Sequence, residues 1–249
     1  MDSEQILACW LEKASRAVFF TGAGVSTESG IPDFRSAAGL YATCQDSPWP
    51  PEYLLSHACL VEHPDAFFSF HRSHLIHPDA RPNPAHLAAA LLEKTGHISA
   101  VVTQNIDSLH QMAGSQRVYE LHGSTQRNYC MGSSRHHIDL DEIPDEPLIP
   151  ICPQCSSIVR PDVVLYGEAL DDGVTHEAIS AIDNADLLIV AGTSLNVYPA
   201  AGMVNFYRGR HMALINLDAT PFDSQADLII RRPVGEVMEK VIDYLNIRQ

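Results

Sequence analysis

A glycine-rich segment near the start of the chain has the residues to hold a phosphate group. Residues 21–30 read TGAGVSTESG and directly follow an apolar run. Glycines let a backbone approach a pyrophosphate, and N–H groups at the start of a following helix can bind it. Because position 27 is threonine, the dinucleotide fingerprint G-x-G-x-x-G is incomplete, and an ordinary glycine turn also fits this segment alone. Asp33, Phe34 and Arg35 then place an acid, an aromatic ring and a guanidinium beside the loop, which a hydride-transfer domain would not need.

Polar side chains also follow three other apolar runs that read as strands. In open α/β sheets, ligands bind at the carboxyl ends of the strands. Each group alone could simply cap a helix, but the convergence of four strand ends predicts a nucleotide site. The three groups are Gln104, Asn105 and Asp107 after residues 98–103; Gly192, Thr193 and Ser194 after residues 187–191; and Asn216 at the end of the run that begins at Met212.

His122 is the histidine best placed for acid–base chemistry. The chain has 13 histidines, so a random one is more often structural or solvated than catalytic. His122 follows a short apolar segment, and Gly123 frees the backbone beside it. His71, His74 and His77 invite a metal interpretation, but helical residues six apart point in different directions and cannot converge on one ion. We expect those three to be exposed.

The pattern of apolar runs predicts the elements that position these residues. Short buried strands at 17–20, 98–103, 186–191, 212–216 and 228–230 alternate with helical patterns, the clearest beginning after Asn83 and stopping at Gly96. This alternation predicts a doubly wound parallel α/β sheet of the Rossmann type. Segments 36–82 and 124–161 break the pattern, so we expect them to form a smaller lobe beside a larger domain built from 1–35, 83–123 and 162–249.

Composition limits the class of protein. The 249 residues carry 16 Lys and Arg against 31 Asp and Glu, a formal net charge of −15, which disfavours nucleic acid and anionic membranes as partners. No apolar run approaches the ~18 residues of a membrane span, and the first residues lack the bases of a signal peptide. Three of the six cysteines fall in one stretch, which suits reduced thiols with a possible metal better than disulfides. We therefore expect a soluble, cytoplasmic protein.

Taken in order, these motifs resemble the sirtuins, which are NAD-dependent protein lysine deacylases. The resemblance covers nearly the whole chain, and it implies a Rossmann-like NAD domain with a small lobe made of a helical insertion and a zinc ribbon. NAD and an acyl-lysine peptide would meet between them, giving nicotinamide, free lysine and 2′-O-acyl-ADP-ribose. The motifs are GAGVS at 22–26, GIPDFR at 30–35, TQNID at 103–107, HG at 122–123, RPDVVLYGE at 160–168 and GTSL at 192–195.

The resemblance also implies a role for each site residue. His122 would be the general base, Asn105 would orient the ribose and an ordered water, and Asp107 would bind the nicotinamide carboxamide. The full set implied for NAD is Gly22, Ala23, Gly24, Thr27, Asp33, Phe34, Arg35, Gln104, Asn105, Ile106, Asp107, Gly192, Thr193, Ser194, Asn216 and Val234. The set implied for the peptide is the Val164 carbonyl with Tyr166, Gly167, Glu168, Asn196 and Val197, which would hold the peptide as an added strand.

The zinc ribbon of the family has two Cys-x-x-Cys pairs, and this chain departs from that pattern. Cys152 and Cys155 form an intact pair, but Cys130 is followed at the matching position by Ser133. A serine hydroxyl is a poor zinc ligand, and tetrahedral zinc needs four ligands. The sequence leaves open whether the ribbon folds without metal or a nearby side chain completes the site, the candidates being His136, His137 and Asp139.

The resemblance to the sirtuins also predicts which acyl group is preferred. Sirtuins that prefer succinyl groups carry Tyr-x-x-Arg in the helical insertion, and the matching positions here are Phe68 and His71. Without a guanidinium, an acetyl or other uncharged acyl group is expected.

Other functions would share part of this pattern. An NAD oxidoreductase would share the sheet but not the cysteine insertion. An ADP-ribosyltransferase, an NAD hydrolase or an NAD-binding module would keep the pocket and dispense with the peptide groove.

Overall fold

The computed structural model describes residues 1–34, 36, 39–43 and 47–247, so Arg35 lies outside the described residues. The strands within these residues are β1 (Ala17–Thr21), β2 (Ile98–Thr103), β3 (Val118–Glu120), β4 (Gly123–Cys130), β5 (His137–Asp139), β6 (Val159–Val163), β7 (Leu187–Ala191), β8 (His211–Ile215) and β9 (Leu228–Ile230). The α-helices are α1 (Ser3–Lys13), α2 (Leu40–Thr43), α3 (Pro51–Leu54), α4 (His57–Glu62), α5 (Pro64–His74), α6 (Pro84–Lys94), α7 (Leu109–Ala113), α8 (Asp172–Asp183) and α9 (Val234–Leu245).

Six strands form a parallel sheet in the order β3-β2-β1-β7-β8-β9, which confirms the predicted Rossmann-like fold. Every residue of β1 and β7 is buried, because helices cover both faces of the sheet. Helices α1, α6 and α9 pack on one face around Phe19, while α8 packs on the other around Phe20. Successive residues of β1 therefore supply two separate cores.

The register of the sheet brings the predicted strand ends together. Thr21 pairs with both Thr103 and Ala191, and Ala191 pairs with Ile215. Four parallel strands therefore end at one level, and the polar residues that follow them share one edge of the sheet. Their position there follows from the strand lengths, because each strand begins at about the same level and runs five or six residues.

The two segments that interrupt the predicted alternation build different structures. Helices α2 to α5 bury an apolar cluster around Phe67 and Phe68, which also includes Val163 and Leu165. Strands β5, β4 and β6 form a separate antiparallel sheet. Only two residues separate the end of β3 at Glu120, in the parallel sheet, from the start of β4 at Gly123, in the small sheet. The predicted division into a large and a small domain stays a prediction.

Helix α6 begins as its sequence predicts. The Asn83 side chain accepts a hydrogen bond from the Ala85 N–H at 2.9 Å, and Pro84 occupies the first turn. His86 completes the cap, because its Nδ1 accepts from the Asn83 N–H at 3.3 Å. None of the helices in the described ranges has the length and apolar character needed to cross a membrane.

Candidate active site and metal centre

A cavity of about 520 Å³ lies at the carboxyl edge of the parallel sheet. This volume is in the range of small-molecule and cofactor sites. Thr27 and Val234 do not line it. The Thr27 hydroxyl donates to the Gly24 carbonyl at 3.0 Å, and Val234, the first residue of α9, is buried in the core. The predicted residues that do line the cavity are Gly22, Ala23, Gly24, Asp33, Phe34, Gln104, Asn105, Ile106, Asp107, His122, Val164, Tyr166, Gly167, Glu168, Gly192, Thr193, Ser194, Asn196, Val197 and Asn216.

The glycine loop is tightly packed against the loop that follows β7. The Gly24 N–H donates to the Gly192 carbonyl at 2.8 Å. A Cβ at Gly22 would lie 2.7 Å from the Thr193 Cβ, and one at Gly24 would lie 2.9 Å from the Gly192 Cα. The two loops therefore require glycine for their own contact. The loop continues into two short 3₁₀ turns, Ala23–Val25 and Thr27–Ser29, in place of the α-helix that follows a dinucleotide-binding turn.

A hydrogen-bonded network fixes Asn105 and Asp107 on the cavity wall. The Asn105 amide donates to the Ser26 hydroxyl at 3.0 Å, and that hydroxyl donates to the Asp107 carboxylate at 2.6 Å. The second Asp107 oxygen accepts from the Leu109 N–H at 2.9 Å. Burial raises the pKa of Asp107, and the hydrogen bonds from Ser26 and Leu109 oppose that rise. Both side chains therefore hold defined orientations before any ligand binds.

His122 is held in one tautomer by the backbone. Its Nδ1 lies 2.9 Å from the Gln104 carbonyl oxygen, which can only accept, so Nδ1 carries the proton and Nε2 of the neutral ring is free to accept one. Burial lowers the pKa of His122, and the hydrogen bond to Gln104 offsets part of this effect. The Gln104 amide in turn donates to Thr193 Oγ1 at 3.0 Å. This arrangement is the one a general base needs near neutral pH.

Residues 164–168 form another part of the cavity wall, and they lie beside the helical insertion. The Tyr166 N–H donates to the Leu55 carbonyl, and its carbonyl accepts from the His57 N–H, both at 3.0 Å. Glu168 is occupied by its own chain, since it pairs with Arg160 and accepts from the Leu165 N–H at 2.9 Å. Burial alone would raise the pKa of Glu168, but the hydrogen bonds from Arg160, Leu165 and His57 lower it to about 2.

The expectation that His71, His74 and His77 are exposed is wrong. All three line the cavity, and only 5% of the His71 surface is exposed. For His71 the reason is helical spacing: it follows Phe67 by one turn of α5 and lies on the same buried face. Burial lowers the pKa of His71 to about 4, so the ring is neutral at physiological pH. Phe68 is buried as well.

Three cysteines and one histidine form a cluster that could hold a metal ion. The ligand atoms of Cys130, His136, Cys152 and Cys155 all lie within 4.8 Å of one another. The His136 Nδ1 is 3.5 Å from the Cys130 sulfur and 3.4 Å from the Cys152 sulfur. The Cys130 and Cys155 sulfurs are 3.6 Å apart. In tetrahedral zinc, bond lengths of about 2.3 and 2.05 Å place ligand atoms about 3.6 to 3.8 Å apart, so this set fits zinc.

The cluster answers the question that Ser133 left open. Ser133 is exposed, and His136 supplies the fourth ligand atom of the cluster. Of the other candidates, His137 pairs with Asp139 at 3.1 Å on the surface. Hydrogen bonds from Ser157 lower the pKa of Cys155 to about 6, which favours the thiolate that zinc binds.

Comparison with known proteins decides the family. The sequence model described as the Sir2 family matches residues 22–199, well over half of the chain. This chain belongs to the Sir2 family. A protein named NAD-dependent protein deacetylase from Cutibacterium acnes is 56% identical over 241 residues, covering 97% of this chain and 98% of that protein. Another of the same name, from Clostridium acetobutylicum, is 52% identical over 231 residues, covering 92% of this chain and 94% of that protein.

Solved Sir2 structures share the whole fold. A Sir2 variant with deacetylated p53 peptide and 3′-O-acetyl ADP-ribose has a TM-score of 0.91 and 35% identity, and the match covers 99% of this chain and 100% of that one. A Sir2 structure with p53 peptide and NAD⁺ has a TM-score of 0.87 and 36% identity, covering both chains fully. The predicted resemblance to the sirtuins is confirmed.

Two residues that orient this Sir2-family site were missed by sequence reasoning. Ser26 joins Asn105 to Asp107, and the signal was its hydroxyl within the glycine loop. His86 lies behind it, with Nε2 3.5 Å from the Ser26 hydroxyl. Because the His86 Nδ1 accepts from Asn83, its Nε2 carries the proton and points it at Ser26. Nothing in the sequence distinguished His86 from an ordinary helix residue.

Proposed function

We propose that this protein is an NAD-dependent protein deacetylase, which moves the acetyl group from a lysine to ADP-ribose and releases nicotinamide. The observation that carries the proposal is the His122 ring at the cavity wall, with its Nδ1 tied to the Gln104 carbonyl and its Nε2 free. The names of its relatives, which are NAD-dependent protein deacetylases, support it. Family membership makes this reaction the one to test first.

The cavity has the donor groups and space that NAD needs. Gly22, Gly24 and Gly192 let the glycine loop and the loop after β7 pack against each other at the cavity wall, which positions both loops to bind a ligand's phosphates. Gln104, Thr193 and Asn216 add amide and hydroxyl groups at the strand ends, as the predicted cofactor set requires. When bound, NAD would supply the ribose carbon that accepts the acetyl oxygen and the nicotinamide that leaves.

His122, Asn105 and Asp107 would divide the chemical work. The free Nε2 of His122 would take a proton from a ribose hydroxyl, a contribution of about 10² to 10⁴ in rate for a general base. Asn105 is fixed by Ser26 and would orient the ribose and a water. Asp107 is fixed by Ser26 and Leu109 and would bind the carboxamide of nicotinamide. The rigid network reduces the reorganisation needed at reaction.

The acetylated peptide would lie between two extended segments. Residues Val164 to Glu168 and Asn196 to Val197 line the same cavity and would add the peptide as a strand. Because the Glu168 carboxylate is engaged by Arg160, its contribution would come from the backbone. The net charge of −15 favours lysine-rich partners over acidic ones.

We also infer that acetyl groups are preferred to succinyl groups. Phe68 and His71 stand at the Tyr-x-x-Arg positions, and neither offers the guanidinium that would pair with a succinyl carboxylate. His71 is buried and neutral, so a carboxylate beside it would lose its hydration without gaining a charged partner.

Free thiols at Cys9 and Cys59 support placing the protein in the reducing cytoplasm.

Mass spectrometry of the products tests the proposed function. Incubation with NAD and an acetyl-lysine peptide should yield nicotinamide, deacetylated peptide and acetyl-ADP-ribose in equal amounts. Nicotinamide release that does not depend on the acetylated peptide would favour ADP-ribosyl transfer or NAD hydrolysis instead. Absorbance growing at 340 nm would reveal hydride transfer. Either of these results, without deacetylated peptide, would overturn the proposal.

A further inference from the structure

One buried nitrogen in the wall of the active-site cavity has no hydrogen-bond partner. Among the described residues, four buried side-chain atoms lack a partner, and they belong to His71, His110, Ser115 and Asn128. Only His71 lines the cavity. Buried polar atoms in proteins are almost always paired, so an unpaired one beside an open site points to a ligand atom.

The neighbouring histidines show that this feature is specific to His71. The His74 Nδ1 lies 2.7 Å from the Ser73 hydroxyl and 3.2 Å from the Phe70 carbonyl. The His77 Nε2 donates to the His74 carbonyl at 3.0 Å. Both therefore have partners within their own segment. His71 Nε2 is the ring nitrogen on this wall that is buried and unpaired.

The cavity wall near His71 includes apolar side chains, and the His71 ring stacks on Phe67. Leu55, Val163 and Leu165 line the cavity and belong to the same buried cluster as Phe67 and Phe68. Residues 163 to 165 are also the segment proposed to hold the acylated lysine. An acyl chain longer than acetyl would pass along this wall, where the buried His71 Nε2 has no partner within the protein.

We propose that His71 selects acyl groups that carry an uncharged hydroxyl on the second or third carbon, and that the enzyme removes these better than their plain counterparts. The inference rests on the proposed deacetylase function. A neutral imidazole can either donate or accept at Nε2, and a hydroxyl can do both, so it satisfies either tautomer. A carboxylate can only accept and would bring an unpaired charge into an apolar wall.

The test compares matched acyl groups on one peptide. kcat/KM is measured for 3-hydroxybutyryl against butyryl lysine, and for 2-hydroxypropionyl against propionyl lysine. We expect the wild-type protein to favour the hydroxylated member by about five- to tenfold in at least one pair, the usual strength of one neutral hydrogen bond. A ratio near one in both pairs overturns the inference.

Variants assign that gain to the nitrogen. His71→Phe keeps a ring of similar size without the nitrogen and should bring the ratio to about one, while His71→Gln restores a polar atom and should recover part of it. His74→Phe is the matched control on the same wall and should leave the ratio unchanged. If His71→Phe does not fold, His71→Met takes its place. A gain that persists in a folded variant without the nitrogen overturns the inference.

The outcome is separable from that of the proposed function. A chain that removes no acetyl group from any peptide contradicts the deacetylase itself. In that case, Kd values for the hydroxylated and plain acyl peptides, measured by calorimetry, still test His71, because binding needs no turnover. Normal deacetylation together with equal kcat/KM within both pairs contradicts the role of His71 alone.

Discussion

The His122 Nδ1 lies 2.9 Å from the carbonyl oxygen of Gln104, a residue that itself faces the cofactor cavity. Gln104 therefore has two roles. Its backbone carbonyl sets the tautomer of His122, and its side-chain amide donates a hydrogen bond to Thr193 at a neighbouring strand end. A carbonyl partner keeps the ring oriented without adding a negative charge beside it. By contrast with a carboxylate partner, it leaves the imidazole less basic.

The first prediction concerns pH. Burial lowers the pKa of His122, so its neutral, proton-accepting form dominates at and above the ordinary value of 6.5. We expect kcat/KM for an acetyl peptide to be flat from pH 6.5 to 8 and to fall only below that range. The measurement is a pH–rate profile at saturating NAD. An acid limb centred above pH 7 would contradict the role of burial.

Removal of the base is the second prediction. His122→Ala should lower the rate of deacetylation by a factor of about 10² to 10⁴. No other side chain is assigned to take the proton from the ribose hydroxyl. NAD binding, measured by calorimetry, should persist because the strand-end contacts remain. His176→Ala, an exposed histidine of α8, is the control. Near-normal turnover in His122→Ala would remove this residue from the mechanism.

Metal content gives the third prediction. The purified protein should hold about one zinc per chain, measured by inductively coupled plasma mass spectrometry. His136→Ala should lower zinc affinity at least tenfold, because one of the four ligands is lost. His137→Ala is the matched control, since this neighbour pairs with Asp139 at the surface. Less than a tenth of an equivalent of zinc in folded, active wild-type protein would retire the ligand assignment.

The fourth prediction tests acyl charge. We expect kcat/KM for an acetylated peptide to exceed that for its succinylated version by at least about tenfold. The double variant Phe68→Tyr with His71→Arg adds a phenol at position 68 and a guanidinium at position 71. The ratio of kcat/KM for the succinylated peptide to that for the acetylated peptide should therefore rise. Phe68→Tyr alone provides no charge and serves as the control. Comparable turnover of both peptides by the wild-type protein would contradict the proposed preference.

The strands that carry the site were predictable because their apolar runs are buried on both faces. The runs at 98–103 and 228–230 match β2 and β9, and the others match to within one residue. Once the strand ends align, Gln104, Gly192 and Asn216 must share an edge. β3 was not predicted, since Val118–Glu120 is too short to show a periodic pattern.

Contacts between distant segments were beyond sequence reasoning. The helical spacing of His71 was visible, but its burial depends on how α5 packs against residues near Val163. The fourth metal ligand could not be chosen among three neighbours, because the choice depends on where β5 begins. His136 stands just before that strand, and its N–H bonds the Cys130 sulfur at 3.1 Å, whereas His137 points outward within it.

The last prediction concerns stability and the pair formed by Glu168 and Arg160. Arg160 is 4% exposed, and Glu168 is its carboxylate partner. Glu168→Gln leaves the guanidinium buried without that charge, so we expect a loss of about 2 to 4 kcal/mol in the free energy of unfolding at pH 7. The exposed α8 substitution Glu177→Gln should change little. Urea unfolding followed by circular dichroism provides the values.

The pH dependence of that loss identifies its cause. The Glu168 pKa is lowered from 4.5 to about 2 in the folded protein, so its stabilising contribution is complete above pH 4.5 and is lost as the pH falls toward 2. The difference between wild type and Glu168→Gln should therefore shrink between pH 4.5 and pH 3.5. If the difference is the same at pH 7 and pH 3.5, the charge of Glu168 is not its source, and lost packing explains the effect.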